Sequence, residues 1–368
     1  MHRTPILALL AVCALAQGAL EQAVTLAREK RYAEARKVLE GAAEPAGVPQ
    51  RVAFHRLQAA VASGLGEAAR AADEMRLALD LAPGDPVLML ATAAAELQAG
   101  RLDDALRHSR GGGNTAVAQA LIGDIEEKRG EYVAAAKAYQ AAVALAPDQE
   151  QYRLALALEL VEHHTFEPAI AVLEQAAPLF PKSARIRTLL GVVQYAVQHY
   201  EEAEAALTEA VAIAPSLEPA YRYLAQVALE SPAPPSPKTL DAACRWDVIV
   251  CSALKSRVAR ERGDAVLQAQ AVAGLKQAPA DSAVARCELG RVYQSSARFA
   301  EARAEMETCV RLDPSPQNHY RLGLVYSRLG LDDLARREME LRNATAERMS
   351  GEVARRQAAV QAFEYLLK

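Results

Sequence analysis

Aromatic side chains are scarce in this sequence. Five phenylalanines, twelve tyrosines and one tryptophan make up 5% of its 368 residues, although hydrophobic residues together reach 51%. A β-sandwich draws on aromatic and β-branched residues, so this composition argues against one. A disordered chain would be poorer in apolar residues. An alanine-rich helical array fits both numbers. Charge of one sign is lacking as well: 42 Lys and Arg face 46 Asp and Glu, for a formal net charge of −4. That gives no footprint for nucleic acid. Beyond the N-terminus no apolar run approaches the ~20 residues that span a membrane. The sequence holds no glycine loop ending in GK[ST], no GxSxG, no HExxH and no CxxC. It therefore offers no catalytic residue, no cofactor-binding residue and no metal-ligand set by motif.

What is there is a pattern written three times between Ala116 and Pro215, 34 residues apart. An aromatic recurs at Tyr132, Phe166 and Tyr200, followed by Ala135, Ala169 and Ala203. Then come Tyr139, Leu173 and Leu207, then Ala142, Ala176 and Ala210, and each copy closes on Pro147, Pro181 or Pro215. Spacings of three and four within a copy are helix period. An earlier helix in each copy holds Leu121-Ile122-Gly123 or Leu189-Leu190-Gly191. Short breaks at Lys128-Arg129-Gly130 and His163-His164-Thr165 make each copy an antiparallel helix pair. The glycines and alanines leave room for two helix backbones to approach. The proline has no amide hydrogen and cannot continue a helix.

This arrangement resembles the tetratricopeptide repeat, with its 34-residue period, small residues, aromatics and terminal proline. It departs mildly. Gln119, Arg153 and Arg187 stand where an early first-helix aromatic is expected, and Ala157 replaces a glycine. The resemblance implies an all-α, right-handed superhelical solenoid of antiparallel helix pairs, whose first helices line a concave groove. It implies a protein or peptide partner held there, by Asp124, Glu127, Gln151, Glu162, Arg185, Thr188, Tyr195, Arg222, Gln226, Arg291, Gln294 and Tyr320. The family's chaperone-tail clamp needs lysine and asparagine at set first-helix positions, which are not found here.

Residues 1–16 carry the pattern of a secretory signal peptide: a positive start at His2-Arg3, the apolar run Ile6–Leu15, and Ala14-Leu15-Ala16 before the cleavage point. An uncleaved anchor, or a lipoprotein using Cys13, are the alternatives. Residues 17–230 read as a first repeat array, with Tyr32, Ala35, Leu39 and Ala42 at the repeat offsets early on, and Gly111-Gly112-Gly113-Asn114 as a flexible joint. Residues 231–246 are a proline-rich interruption and short helix. A second array covers 247–339, and 340–368 is a charged capping helix.

Apart from Cys13, four cysteines remain. Cys287 and Cys309 fall on the two helices of one pair, where antiparallel packing brings them within about one turn. Cys244 and Cys251 can pair only if the chain turns between them, because seven helical residues span about 10 Å. Disulfides and buried free thiols both stay open. His163 and His164 read as a solvated bend, since adjacent helical residues point in different directions. Asp241, Asp247, Lys255 and Arg257 are the obvious candidates if the irregular segment 231–278 carries an enzyme. The expectation is instead a non-enzymatic interaction scaffold, exported to the periplasm or medium, with a structural subunit of a bacterial envelope or export assembly as the alternative.

Overall fold

A computed structural model describes residues 18–348, 357, 359–362 and 365–366. The expected signal segment lies outside the described residues, as does most of the expected cap beyond Arg348. All regular structure among the described residues is helical, and the helices come in pairs. In chain order they are α1 (18–28) with α2 (Tyr32–Glu40), α3 (Val48–Gly64) with α4 (Ala68–Leu81), α5 (Pro86–Gln98) with α6 (Leu102–Gly111), and α7 (Ala116–Lys128) with α8 (Tyr132–Leu145). Then follow α9 (Glu150–Glu162), α10 (Phe166–Leu179), α11 (Ala184–Ala196) with α12 (Tyr200–Ile213), and α13 (Glu218–Glu230) with α14 (Pro237–Trp246). The last are α15 (Val248–Arg262) with α16 (Ala265–Leu275), α17 (Ala283–Ser295) with α18 (Phe299–Leu312), and α19 (Pro316–Arg328) with α20 (Asp332–Arg348). The chain divides into two units, one running to Glu159 and one from Leu160.

One backbone device closes nine of the turns among the described residues. A residue in the left-handed region ends the first helix, and the next amide donates back five residues, as in the Schellman motif. The donors and acceptors are Arg31 to Leu26, Glu67 to Ala62, Arg101 to Glu96, Glu131 to Glu126, Thr165 to Leu160, His199 to Gln194, Asp264 to Ala259, Arg298 to Tyr293 and Leu331 to Tyr326, at 2.8–3.0 Å. Glycine supplies the positive φ in five, at 66, 100, 130, 263 and 330. Lys30, His164, Gln198 and Ala297 supply it in four, with φ between 56° and 67°. His164 therefore sits at its bend for a backbone reason.

Between pairs the proline acts through the residue before it, which its ring excludes from the α region. Ala82, Ala146, Phe180, Ala214 and Asp313 each precede a proline, and each leaves its helix with φ near −120° to −145° and ψ of 65° to 87°. The next first helix is often opened by a side-chain cap: Asp85, Thr115, Ser183, Asp247 and Ser282 all accept from amides of the first turn.

In the first unit, Gly123 of α7 lies under the ring of Tyr139 on α8. An added Cβ would stand 2.6 Å from that ring. Gly111 and Gly112 belong to the same logic. A Cβ on them would meet Met89 and Leu90 of α5 at 2.8 and 2.3 Å, so close helix packing explains glycines that the sequence suggests as a joint. In the second unit, Gly191 faces Leu207, Gly290 faces Met306 and Gly323 faces Met339, all sixteen residues on, at 2.4–2.9 Å from the missing Cβ. The recurring alanines at 135, 169, 203 and 302 have no accessible surface.

Among the described residues, the second unit also contains a pair that departs from the pattern. Between α13 and α14 the chain leaves the helix at Ser231 (ψ 139°), bends at 232–233, where the Ala233 amide donates to the Ser231 hydroxyl, and enters α14 from Ser236 (ψ 156°). It is pinned from both sides. The buried Glu204 carboxylate accepts from the Ser236 amide and the Thr239 hydroxyl, both at 2.7 Å. Arg257 donates to the carbonyls of Ala228 at 2.8 Å, of Ala233 at 2.9 Å and of Ser231.

Candidate interaction surface

The twelve first-helix residues expected to line a groove fall into three groups. Asp124, Gln151, Arg185, Arg222, Gln226 and Tyr320 are exposed, and Glu127, Glu162, Arg291 and Gln294 are half-buried. Thr188 and Tyr195 correct the expectation. Both lie on α11 with 0% and 1% of their surface accessible, so neither offers contact area to a partner. The reason is that α10, α12 and α13 all pack on α11, burying every residue from Thr188 to Ala196. Thr188 donates to the Ala184 carbonyl at 2.8 Å, and the Tyr195 ring meets Tyr200 edge-on at 6.0 Å.

The exposed members differ in how far they are committed. Asp124 accepts from the Tyr139 hydroxyl at 2.7 Å, which ties it to the neighbouring helix. Burial of that hydroxyl and the adjoining Asp124 carboxylate push the tyrosine well above its ordinary range, and the carboxyl is raised by its own partial burial. Tyr320 is covered by the Arg342 guanidinium, 5.2 Å from its ring centre. Arg222 pairs with Glu218 at 2.9 Å, and Gln226 bonds Glu230 at 3.4 Å, both within α13. Such i,i+4 pairs on an exposed face are worth only a few tenths of a kcal/mol. A partner can replace them.

Three of the four residues considered for chemistry, Asp241, Asp247 and Arg257, have structural tasks. Asp247 caps α15 through the amides of Ile249 and Val250 at 2.7 and 2.9 Å. Asp241 pairs with Arg245 on the exposed side of α14. Arg257 closes the end of α13. The four cysteines are joined as Cys244–Cys251, across the Trp246-Asp247 junction, and Cys287–Cys309, across the α17–α18 hairpin, with Cα separations of 4.5 and 4.8 Å. The chain does turn between Cys244 and Cys251, because Asp247 is extended (φ −144°, ψ 121°).

Sequence reasoning misses a group of guanidiniums in the second unit. Glu288 on α17 is buried, in close contact with Arg260 of α15 and 3.5 Å from Arg291 of its own helix. Arg321 on α19 stands within electrostatic reach of all three and of Arg257. No motif announces this, because the residues come from three helices separated by whole hairpins.

Comparison with known proteins gives two family-model matches. Residues 283–316 are similar to the tetratricopeptide repeat, and residues 128–210 to anaphase-promoting complex (cyclosome) subunit 3. No curated protein sequence is significantly similar to the chain. Among solved structures, it is similar to the C-terminal part of a TPR repeat-containing protein from Cytophaga hutchinsonii, with 16% identity, 70% of this chain and 94% of that one covered, and a TM-score of 0.47. A tetratricopeptide repeat protein from Parabacteroides merdae matches with 13% identity, 76% and 98% coverage and a TM-score of 0.40. YrrB, described as a TPR protein with an unusual peptide-binding site, matches with 18% identity, 48% and 91% coverage and a TM-score of 0.38.

Proposed function

For a chain that carries tetratricopeptide repeats, we propose the role of a non-enzymatic scaffold that holds an extended peptide or a helix of a protein partner on the outward faces of its first helices. The observation that supports this reading is a division of labour within each pair. Small and apolar residues fill the space between the two helices, while polar first-helix residues such as Arg185, Arg222 and Gln226 stay accessible and outside the inter-helix packing. Arginine is among the residue types that dominate binding energy at interfaces. Export of the chain belongs to the same proposal. Two disulfides support it, since such bonds persist in oxidising compartments.

Site-specific photo-crosslinking tests the surface. A crosslinking amino acid at 185 or 222 should capture a partner from an envelope extract, whereas one at the exposed second-helix positions 133 or 213 should not. Equal capture at both kinds of position would sink the reading. For export, thiol alkylation of freshly harvested cells under denaturing conditions should find Cys244, Cys251, Cys287 and Cys309 blocked; four reactive thiols would refute it.

A further inference from the structure

The two disulfides of the second unit differ in access and in what they hold. Cys287 and Cys309 are both buried, with 7% and 0% of their surface accessible. Their helices, α17 and α18, already meet closely where Gly290 faces Met306, so that bond adds to a joint that packing secures. In the other pair Cys251 is buried, but Cys244, near the end of α14, is only half-buried. Arg245 and Val248 beside it are exposed, so the junction lies at the surface. Attack on a disulfide needs a path to only one of its sulfurs, and its rate follows that access.

The last turn of α14 has little else to hold it. The other helices α10, α12, α16 and α18 each bury a Leu or Met with no accessible surface: Leu173, Leu207, Leu275 and Met306. By contrast, α14 buries only Thr239, Ala242 and Ala243. Its first turn is fixed by the Thr239 hydroxyl on Glu204. Its last turn rests on the disulfide and on the Trp246 ring, stacked on Tyr221 of α13 at 5.8 Å. Backbone and disulfide together close a ring from 244 to 251 through the extended Asp247, which fixes the angle between α14 and α15. With the ring open, that end keeps two alanines and one ring stack.

We propose that the Cys244–Cys251 disulfide is an exchange site for a protein dithiol and works as a latch on α14. One thiolate of the dithiol attacks the Cys244 sulfur to form a mixed disulfide, and Cys251 leaves as a thiolate that takes up a proton. The second thiol of the reductant then attacks the reductant's own sulfur in that bond and releases Cys244, which is protonated in turn. Two electrons and two protons pass to the chain, and the reductant leaves as a disulfide. The open chain frees the last turn of α14, and Trp246 comes away from Tyr221. Ala225, Ala228 and Leu254, which share one apolar cluster with Ala243 and Trp246, then become accessible. Cys287–Cys309 stays closed throughout.

The chain's single tryptophan reports on the latch. The test treats the folded full chain with reduced thioredoxin, or with dithiothreitol, and follows three signals: Trp246 emission, helix content by circular dichroism, and thiols alkylated at each cysteine by mass spectrometry. Cys244 and Cys251 should become alkylated about tenfold faster than Cys287 and Cys309 or more, because exchange follows access. Emission should shift to longer wavelength as the Trp246 ring meets water, while helix content holds, and oxidised glutathione should reverse the shift. The C244S/C251S variant should show the shifted emission without reductant and respond no further. A bond with only a structural task would open when the unit unfolds. Thiols of both pairs appearing together, and only as helix content falls, would therefore overturn the proposal. So would reduction of Cys244–Cys251 that leaves Trp246 emission unchanged. Opening by dithiothreitol but not by thioredoxin would overturn the protein dithiol as partner.

Discussion

The two units surround their buried carboxylates differently. In the first, Glu96 and Glu126 each have cations at hand. Glu96 lies 2.7 Å from His108, and Glu126 lies 3.3 Å from Arg129 and 3.7 Å from Arg110. In the last hairpins of the second unit the guanidiniums outnumber the carboxylate they share. A further difference is covalent: both disulfides are in the second unit, and the described residues of the first have none. The hairpin itself demands only small residues at the contact and a left-handed turn. Both demands are met in either unit, so the polar face of the first helix is free to specialise.

The largest expected effect breaks the covalent part of this comparison. Reduction of both disulfides should cost the second unit about 5 kcal/mol, at ~2–4 kcal/mol for each bond. Hydrogen exchange should then rise in α14–α18 and stay unchanged in α3–α8. Next comes the charge. Glu288→Gln leaves Arg260 and Arg291 without their carboxylate and should cost about 3 kcal/mol in urea unfolding, as breaking a buried pair does. Adding Arg321→Gln should recover part of that loss; no recovery would mean that the guanidiniums do not act on one another.

A smaller effect concerns pH. Burial, with the Glu307 carboxylate 2.8 Å from its hydroxyl, pushes Tyr326 up to about 12. Its neutral form is thus favoured by folding. The stability it contributes is complete below pH 10 and is lost as pH rises from 10 through about 12. A 295 nm titration should show several late phenols, and Tyr326→Phe should remove the one near 12. The smallest effect is a gain. Ala297 holds φ 56° where five other turns use glycine, so Ala297→Gly should stabilise by about 1 kcal/mol. A loss at that position would mean that the methyl group packs better than the strain costs.

Much of the architecture was legible in advance. The 34-residue spacing, the Gly123 and Gly191 positions and the closing prolines all act within about one hairpin, where period and sterics decide. The break at His163-His164-Thr165 was legible too, but the left-handed backbone at His164, Gln198 and Ala297 was not, because these turns adopt the glycine conformation without a glycine. Thr188 and Tyr195 were misplaced for another reason. Helix period says which residues share a face but not how many neighbours cover that helix, and α11 is covered on three sides. The cysteine pairing needed the extended backbone at Asp247, which spacing alone does not reveal.

The sequence by itself therefore determined the repeat, the helix pairs and the small residues between them, since each follows from local sterics and a fixed period. Only the tertiary structure decided which first-helix side chains reach water, which thiols meet, and that Arg260 and Arg291 share a single buried carboxylate. Those outcomes depend on side chains from helices tens of residues apart, and burial and Coulomb energy are properties of where such groups come to rest.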